Sequence, residues 1–473
     1  MLTLGFIIET LTGYQAAGGP QVITDVVIDS RKSIPGSLFV ALPGERADGH
    51  DFVEAAFRRG AIAALIQRAV NVECAVLDLR EPLTFEQAAG LSLPVCLRVE
   101  NVLVALQKLG AAWRQKLAVR VIGVTGSVGK TTSKELIAAV LSTRYRTFKT
   151  EGNYNNEIGL PLMLLKLTEA YERAVLEMGF YQIGEIAELC HWAKPDVGVV
   201  NNIYAVHLER AGSIENIVQG KGELVEALPP DGVAILNLDD AHVMRLQTRT
   251  QARIFTYGLN PEADLWADNI ESQGLSGMYF RFHYHGEAIN VRVPLLGQHS
   301  VHTALRAAAV GLVEGLTWEE IVDGLQSIGA VQLRLTAVTG PGGSVLIDDT
   351  YNASPESTIA ALNLLNEIEG QRKVAVLGDM LELGAYEEAG HRLVGQRARD
   401  VAQVLVTIGP RARTIAEEAR LTGLSTAVIH SFETGEAALP FLRELIRAGD
   451  VVLLKGSRGL RLDRLVRALG GGA

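Results

Sequence analysis

The sequence predicts an α/β protein of three domains, because short apolar runs alternate with helix-length segments along most of the chain. A chain of 473 residues is too long to fold around a single hydrophobic core, so roughly two to four domains are expected. Changes in the pattern near residues 100 and 330 set the boundaries. We predict a small α/β N-terminal domain over 1–100, a central domain with a mostly parallel sheet over 101–330, and a Rossmann-like, doubly wound C-terminal domain over 331–473.

Individual segments justify the first two domains. In the N-terminal domain the predicted elements are strands at 26–29 and 37–42 and a helix at 52–59, which leads into the apolar segment 61–66. In the central domain they are strands at 121–124, 174–177, 197–200 and 233–236 and a helix at 132–142. The segments 279–284 and 289–293 alternate in hydrophobicity and are joined through Gly286, which predicts a hairpin added to the central sheet.

The C-terminal domain has the most regular alternation of strand-like and helix-like segments. Its predicted strands are 345–347, 373–377, 404–408, 427–429 and 451–454. This pattern is typical of a doubly wound sheet, in which ligands bind at the carboxyl ends of the strands.

Composition and charge narrow the classes of partner. Hydrophobic residues make up 48% and charged residues 21% of the chain, which is ordinary for a globular protein. The formal net charge is -10, so we expect neither a nucleic acid nor an anionic membrane surface as a partner. A locally basic pocket for a small anion remains open.

Cysteine usage and the N-terminus indicate the compartment. The cysteines Cys74, Cys96 and Cys190 are few and lack metal-type spacing, which favours buried thiols in a reducing environment. The N-terminus has no basic region or cleavage site of a signal peptide, and no apolar run approaches the ~20 residues of a membrane span. We expect a cytoplasmic protein without membrane insertion.

A glycine-rich loop carries the clearest chemical signal. It runs Gly123-Val-Thr-Gly-Ser-Val-Gly-Lys130-Thr131 between a predicted strand and a predicted helix. Glycines let the backbone wrap a phosphate with its amides pointing inward, Lys130 adds a positive charge, and the Thr131 hydroxyl can ligate Mg²⁺. The first glycine lies six residues before Gly129, a variant of the common spacing. The residues predicted to hold the nucleotide here are Gly123, Thr125, Gly126, Ser127, Val128, Gly129, Lys130, Thr131 and Thr132.

A phosphate-binding loop predicts a nucleotide but leaves the reaction open among a motor or switch ATPase, a kinase and a ligase. Further motifs follow along the whole chain, namely Asp29-Ser-Arg31, Asp48-Gly-His50, Lys134-Glu135, Gly152-Asn-Tyr-Asn-Asn-Glu-Ile-Gly-Leu-Pro161, Glu177-Met-Gly179, Gly184-Glu185, His207-Leu-Glu-Arg-Ala-Gly-Ser213, Lys221-Gly-Glu223, Arg334-Leu335, Asp348-Asp-Thr-Tyr-Asn-Ala-Ser-Pro-Glu-Ser357, Leu377-Gly-Asp-Met-Leu-Glu-Leu-Gly384 and Leu454-Lys-Gly-Ser-Arg-Gly459. In these motifs and their order the chain resembles the Mur ligase family. The segment 351–357 resembles the member that adds D-alanyl-D-alanine, and the Asp-Asn-Pro-Arg motif of the member that adds meso-diaminopimelate is not found.

The resemblance implies a fold and a reaction. The N-terminal domain would grip the UDP end of the substrate, the central domain would be a P-loop ATPase, and the C-terminal domain would close over the site. ATP would phosphorylate the terminal carboxylate of UDP-N-acetylmuramoyl-tripeptide, and the amine of D-alanyl-D-alanine would attack the acyl phosphate. The implied cofactors are ATP and two Mg²⁺ ions, and we expect a monomer.

The resemblance also assigns catalytic and metal-binding residues. Glu177 ends a buried strand, where a carboxylate is costly unless it binds something, and it would hold Mg²⁺ beside Thr131. A surface carboxylate is the alternative. His207 would bind a second Mg²⁺, or else be a structural histidine. Lys221 would carry a carbamate that holds the same ion, which requires a neutral amine and therefore a lowered pKa. Helical periodicity alone favours a solvated charge for Lys221.

Other residues are assigned to the substrates in the same way. Asn155 and the catalytic Asn156 would donate to phosphate or carbonyl oxygen, although asparagine also favours turns. Ser30 and Arg31 would contact the UDP-sugar. The remaining residues are expected at the nucleotide (Arg334 and Asp349) or at the peptide substrates (Tyr351, Asn352, Ser354, Lys455 and Arg458), with surface charge as the alternative for the last two.

One segment departs from the family pattern. Its adenine-side motif typically reads Gly-x-His-Asn-x-x-Asn, whereas this chain has Gly297-Gln-His-Ser-Val-His-Thr303. His299 is kept as a nucleotide contact, but Ser300 and Thr303 replace the asparagines. An amide donates from its nitrogen and accepts at a separate oxygen, an arrangement that the single oxygen of a hydroxyl cannot reproduce, so we expect altered adenine contacts.

Two alternatives remain from the sequence. One is another amide ligase of the superfamily, such as a folylpolyglutamate synthase, against which the segments 29–31 and 351–355 argue. The other is a nucleotide-gated binding protein, which would leave Glu177, His207 and Lys221 without a joint purpose.

Overall fold

A computed structural model describes residues 1–14, 21–44, 47–84, 87, 91–205, 208–327 and 335–470. Its strands form a five-stranded, a nine-stranded and a six-stranded sheet, which confirms the predicted α/β class. By internal contacts the chain forms two compact units, one comprising 1–123, 145–180 and 184–196, the other 124–144, 181–183 and 197–473. The domain boundaries at 100 and 330 stay predictions.

The five-stranded sheet lies in the first unit and is parallel throughout, in the order β1-β2-β3-β5-β4. Its strands are β1 (Val26–Val27), β2 (Leu38–Val40), β3 (Ala63–Ile66), β4 (Ala75–Asp78) and β5 (Val95–Arg98). Helices α1 (Leu4–Thr12) and α2 (Val53–Arg58) accompany it. A buried cluster that includes Phe39, Val53 and Ile66 joins the sheet to α2.

The nine-stranded sheet has the order β14-β13-β12-β11-β10-β9-β6-β8-β7. Its strands are β6 (Arg120–Thr125), β7 (Thr147–Lys149), β8 (Arg173–Glu177), β9 (Val197–Val200), β10 (Val233–Asn237), β11 (Arg253–Gly258), β12 (Leu265–Ser272), β13 (Met278–Tyr284) and β14 (Glu287–Val293). Strands β9 to β12 pair in parallel. The antiparallel pair β13–β14 turns at Gly286, whose φ is 84°, and confirms the predicted hairpin.

The helices of this central region follow the strands along the chain. They are α3 (Val102–Gln115), α4 (Lys130–Ser142), α5 (Gly159–Leu165), α6 (Glu185–Ala193), α7 (Leu208–Ala211), α8 (Ile214–Glu226), α9 (Ala241–Met244), α10 (His299–Val313) and α11 (Trp318–Ser327). In the second unit, α4 packs against α10 and α11. This packing places α10 directly beside the helix that begins at the phosphate loop.

The six-stranded sheet has the order β15-β16-β20-β17-β18-β19, parallel except for β15. Its strands are β15 (Thr336–Thr339), β16 (Val345–Asp349), β17 (Arg372–Gly378), β18 (Val404–Ile408), β19 (Ile429–Phe432) and β20 (Asp450–Lys455). Its helices are α12 (Pro355–Glu367), α13 (Glu387–Val401), α14 (Arg413–Leu421), α15 (Gly435–Leu445) and α16 (Asp463–Gly470).

Successive residues of the central strands enter two different cores, as a doubly wound domain requires. Ala375 and Leu377 belong to the core with α12, α13 and α14, whereas Val374 and Val376 belong to the core with α15 and α16. The predicted strand at 427–429 is displaced, because the Ser425 hydroxyl caps a short 3₁₀ turn over Thr426–Val428 and the strand begins only at Ile429. None of the helices in the described ranges is long and apolar enough to cross a membrane.

Candidate active site

The phosphate loop connects the end of β6 to the start of α4 and has the conformation that its glycines predict. Gly129 has a φ of 78° and occupies the N-cap position of α4. A Cβ on Gly126 would lie 2.6 Å from the Cβ of Asn201, so only glycine fits there. The Lys130 ammonium donates to the Gly126 carbonyl at 2.8 Å. Loop amides at the N-terminus of α4 form the cradle expected for phosphate.

The other predicted loop residues occupy the ends of the flanking elements. Gly123 lies within β6, and Thr125 is its last residue and fully buried. Thr131 and Thr132 lie in the first turn of α4, and both are half-buried. The hydroxyl predicted to meet Mg²⁺ therefore lies at the helix N-terminus.

Two asparagines that the sequence analysis did not single out brace this loop. The side-chain carbonyl of Asn202 accepts from the Val128 amide at 2.8 Å, and the Asn201 amide donates to the Val128 carbonyl at 3.3 Å. The Ser127 hydroxyl exchanges hydrogen bonds with the Tyr204 backbone at 3.1 and 2.9 Å. Asn201 and Asn202 directly follow the predicted strand at 197–200, at the carboxyl end of a parallel sheet. This position is where ligand-binding residues are expected, so it could have identified both asparagines from the sequence.

Lys221 lies on α8 and is buried, with 2% of its surface exposed. The solvated alternative for this lysine is therefore wrong. Burial and the nearby charge of Lys130 both disfavour its protonated form and hold the pKa of Lys221 well below its ordinary value. The protonated form of this amine, which lies near the phosphate-loop lysine, is therefore disfavoured.

The carboxyl ends of β16 and β20 bring predicted residues together in the C-terminal part of the same unit. Parallel register pairs Asp349 with Lys455, and their side chains form a buried ion pair with a Nζ–Oδ2 distance of 2.6 Å. Lys455 also donates to the Asn352 carbonyl at 3.0 Å. The Arg458 guanidinium lies 5.4 Å from the centre of the Tyr351 ring. Five predicted residues therefore form one cluster.

Ser354 has a structural task in addition to any substrate contact. Its hydroxyl accepts from the Ser357 amide, and the Ser357 hydroxyl accepts from the Ser354 amide, which is a capping box at the start of α12. Such reciprocal caps stabilise helix ends. A role in substrate binding stays a prediction.

In the segment 297–303, which differs from the family motif, the hydroxyls of Ser300 and Thr303 form hydrogen bonds with neighbouring protein atoms. The Ser300 hydroxyl donates to the Gly297 carbonyl at 2.6 Å, and the Thr303 hydroxyl accepts from Arg306 at 3.4 Å. His299 opens α10 and is open to solvent.

In the first unit, Glu177 is the last residue of β8 and is only 1% exposed. Its carboxylate accepts from the Asn155 side chain at 2.8 Å, and its backbone amide donates to the Thr150 hydroxyl at 3.0 Å. The surface alternative for Glu177 is therefore wrong. The side-chain carbonyl of Asn156 accepts from the Gly159 amide at 2.9 Å. This bond stabilises the turn before α5. A buried, oriented carboxylate is a suitable ligand for a hard cation.

The predicted UDP-sugar residues lie in a short turn after β1. The Asp29 carboxylate caps this turn and accepts from Arg31 Nε and Nη2 at 2.9 and 2.8 Å. The Arg31 side-chain bond and the Arg31 charge lower the pKa of Asp29 to about 2. Ser30 is buried, whereas Arg31 is exposed and held in one orientation by Asp29.

Two predicted residues, His207 and Arg334, lie outside the described residues, so their roles stay predictions. Within the described ranges, no three His, Cys, Asp or Glu side chains form a group that could hold a metal ion.

Comparison with known proteins places these features in one family. The model of the Mur ligase family catalytic domain matches residues 22–114, that of the Mur ligase middle domain 124–311, and that of the Mur ligase glutamate ligase domain 333–458. The UDP-N-acetylmuramoyl-tripeptide–D-alanyl-D-alanine ligase of Bacillus subtilis is 39% identical over 95% of this chain and 93% of its own length.

Solved structures agree with the sequence relatives. A crystal structure of MurF from Acinetobacter baumannii is 31% identical, covers 99% of both chains and has a TM-score of 0.85. The MurF ligase from Thermotoga maritima, solved in complex with ADP, is 28% identical, covers 96% of this chain and 99% of its own, and has a TM-score of 0.80.

Proposed function

This chain belongs to the Mur ligase family, and we propose that it joins D-alanyl-D-alanine to the terminal carboxylate of UDP-N-acetylmuramoyl-tripeptide at the expense of ATP. The observation that carries the proposal is its similarity, over 95% of its length, to a ligase named for these substrates. The product is a precursor of peptidoglycan. A monomeric state and a cytoplasmic location stay predictions from the sequence.

The phosphate loop supplies the nucleotide site. Its amides lie at the N-terminus of α4, and the side chains of Asn201 and Asn202 hold the loop through hydrogen bonds to the Val128 backbone. Because the donors are already oriented, little reorganisation is needed when negative charge develops during transfer. Lys130 now bonds to the loop carbonyls and would turn its ammonium to the β- and γ-phosphates.

The reaction proceeds in two steps. A carboxylate oxygen of the tripeptide attacks the γ-phosphorus of ATP, the bond to the β-phosphate oxygen breaks, and an acyl phosphate and ADP form. The amine of D-alanyl-D-alanine then attacks the acyl carbon, phosphate leaves, and the amine loses a proton. Fixed positive groups around the phosphates stabilise both steps.

Magnesium fits the donor chemistry of the described residues. Glu177 offers a buried, oriented carboxylate, and Thr131 offers a hydroxyl at the loop, which are oxygen ligands that Mg²⁺ prefers. Bound Mg²⁺ supplies charge that neutralises the phosphates.

Lys221 is proposed to be carbamylated. Its lowered pKa provides the neutral amine that can attack CO₂, forming a nitrogen–carbon bond with loss of a proton. The carbamate is an anion, so it would be offset by Lys130 and by a second Mg²⁺, whereas the bare amine would bind Mg²⁺ poorly. Burial protects the modified side chain from bulk water.

Substrate recognition is proposed for the remaining clusters. Arg31, exposed and oriented by Asp29, can bind the anionic UDP end. The strand-end cluster of Asp349, Lys455 and their neighbours combines carboxylate, cation and aromatic groups suited to the ribose and to peptide carboxylates. His299, which opens α10, would contribute its imidazole ring near the base.

The test is phosphate release from ATP in the presence of UDP-N-acetylmuramoyl-tripeptide, with and without D-alanyl-D-alanine. Release should depend on the dipeptide, and Lys130→Ala should abolish it while the variant stays folded. Lys149→Ala, a half-buried lysine on β7, is the matched control and should keep activity. Phosphate release that ignores the dipeptide would refute the proposed reaction.

A further inference from the structure

A buried arginine on α10 lies against the phosphate-loop helix. Arg306 is 4% exposed, and its Nη1 donates to the hydroxyl of Ser133 in the first turns of α4 at 2.8 Å. Its Nε donates to the His302 carbonyl at 3.0 Å, and its Nη2 to the Thr303 hydroxyl at 3.4 Å. The side chain therefore ties α10 to the helix that begins at the loop.

The charge of Arg306 has no counter-ion in this part of the fold. All three of its acceptors are neutral oxygens, and in the part of the chain that the structure describes no carboxylate forms an ion pair with it. A guanidinium has five N–H donors, so three bonds leave two of them for another acceptor. A buried charge without an anion is costly, which favours an anionic ligand nearby.

A second buried arginine, Arg114, provides the contrast. It donates to four backbone carbonyls, those of Ala193, Leu117, Val119 and Lys194, at 2.8–3.4 Å. Burial lowers the pKa of Arg114, and the nearby carboxylate of Asp196 opposes this shift by favouring the charged form. Arg114 thus has the environment of a purely structural arginine, and Arg306 does not.

The guanidinium of Arg306 lies beside the last glycine of the loop. A Cβ on Gly129 would stand 3.9 Å from Nη1 of Arg306. Gly129 caps α4, and the positive end of that helix dipole faces the phosphate site. The arginine therefore adds a full positive charge one layer behind the amides that bind phosphate.

The altered segment 297–303 belongs to the same helix. The Ser300 hydroxyl donates to the Gly297 carbonyl, and the Thr303 hydroxyl accepts from Arg306, so both hydroxyls take part in bonds to neighbouring protein atoms. One turn further along α10, Arg306 faces the phosphate loop. Helix α10 lacks the two asparagines that the family motif places on the adenine side. It instead carries a positive charge, on Arg306, beside the phosphate loop.

We propose that Arg306 is a nucleotide-positioning residue: its hydrogen bond to Ser133 holds the phosphate-loop helix in place, and its buried charge strengthens binding of the nucleotide's phosphates. The proposal rests on the use of ATP in the proposed function. It acts through the loop and requires no direct contact with the substrate.

The test compares Arg306→Gln, which keeps hydrogen-bonding capacity but removes the charge, with Arg306→Lys, which keeps the charge. Dissociation constants for ATP, ADP and AMP are measured by calorimetry on the full chain without divalent cation, so that ligand charge falls along the series. Arg306→Gln should weaken ATP binding roughly tenfold, ADP less and AMP least, and Arg306→Lys should stay within roughly threefold for all three. Thermal melting of each variant confirms that it is folded.

Equal weakening of all three nucleotides by Arg306→Gln would overturn the proposal, because it would indicate a structural role alone. If that variant does not fold, Arg306→Lys carries the test, and a tenfold loss of ATP affinity in it would also overturn the proposal. Binding is measured without the acceptor substrates. A wild-type enzyme that binds ATP but lacks dipeptide-dependent turnover would refute the proposed function and leave the role of Arg306 standing.

Discussion

The buried ion pair between Asp349 and Lys455 offers the sharpest quantitative prediction. The pair joins the ends of β16 and β20, and its members are only 15% and 2% exposed. Replacing Asp349 with asparagine keeps the shape of the side chain but leaves a buried ammonium without its carboxylate. The Asn352 carbonyl, at 3.0 Å, still accepts from that ammonium and compensates only in part.

The distance sets the scale of the effect. With an effective dielectric constant of about 20, two unit charges at the observed 2.6 Å attract with roughly 6 kcal/mol. Much of this attraction offsets the cost of taking both groups out of water. Removal of one partner from such a buried pair costs about 3–5 kcal/mol, and we expect Asp349→Asn near the lower end of that range.

Hydrogen exchange measured by mass spectrometry suits this prediction, because it reports local stability in a chain of several domains. Peptides covering 345–349 and 450–455 should lose about 3 kcal/mol of opening free energy in Asp349→Asn. The double variant Asp349→Asn/Lys455→Met should lose less than the sum of the single variants, by roughly 2 kcal/mol. Glu388→Gln removes a 2.9 Å pair with Arg392 whose glutamate is 73% exposed, and should cost no more than about 0.5 kcal/mol.

A loss below about 1 kcal/mol in Asp349→Asn, or additivity of the two substitutions within about 0.5 kcal/mol, would refute the reasoning. Either result would mean that water reaches the pair and replaces the missing charge. The pair would then be free to separate for the nucleotide and the substrate at little cost.

Three further outcomes follow from the site and the core. Lys221→Ala should abolish turnover, and added short carboxylates, which replace the carbamate, should restore part of it. Full activity of this variant without added carboxylate would argue against the modification. So would an intact mass of the native protein that lacks the extra carboxylate. Glu177→Gln should lower kcat roughly 100-fold or more with the fold intact, whereas Glu172→Gln at an exposed site should not; similar kcat values for both would remove Glu177 from the metal site. Burial lowers the pKa of His391, so the unfolded chain takes up a proton at a higher pH than the folded chain. The urea midpoint should therefore fall as the pH drops below 6.5, and His391→Asn should flatten this fall. An unchanged dependence of the midpoint on pH in that variant would exclude His391 as its source.

Much of the fold could be predicted from the sequence, because strand and helix patterns are local. The strands at 197–200 and 404–408 were predicted with the bounds observed, and the hairpin with its turn at Gly286 was predicted to within a few residues. The strand near 429 was displaced, since a serine cap on the preceding turn is a local feature that hydrophobicity does not report. Short strands such as β4 and β7 carry too few residues to form a distinct pattern.

The sequence by itself determined the phosphate loop, because its glycines, lysine and threonine are contiguous and their conformational needs are local. Only the tertiary structure decided which distant groups meet. Asp349 finds Lys455 across 106 residues through strand register, and Arg306 finds Ser133 across 173 residues through helix packing. Burial also lowered the pKa of Lys221 well below its ordinary value, where helical periodicity alone favoured a solvated charge. Charge state and partner choice depend on the dielectric surroundings and on long-range packing, and no local pattern of residues encodes these.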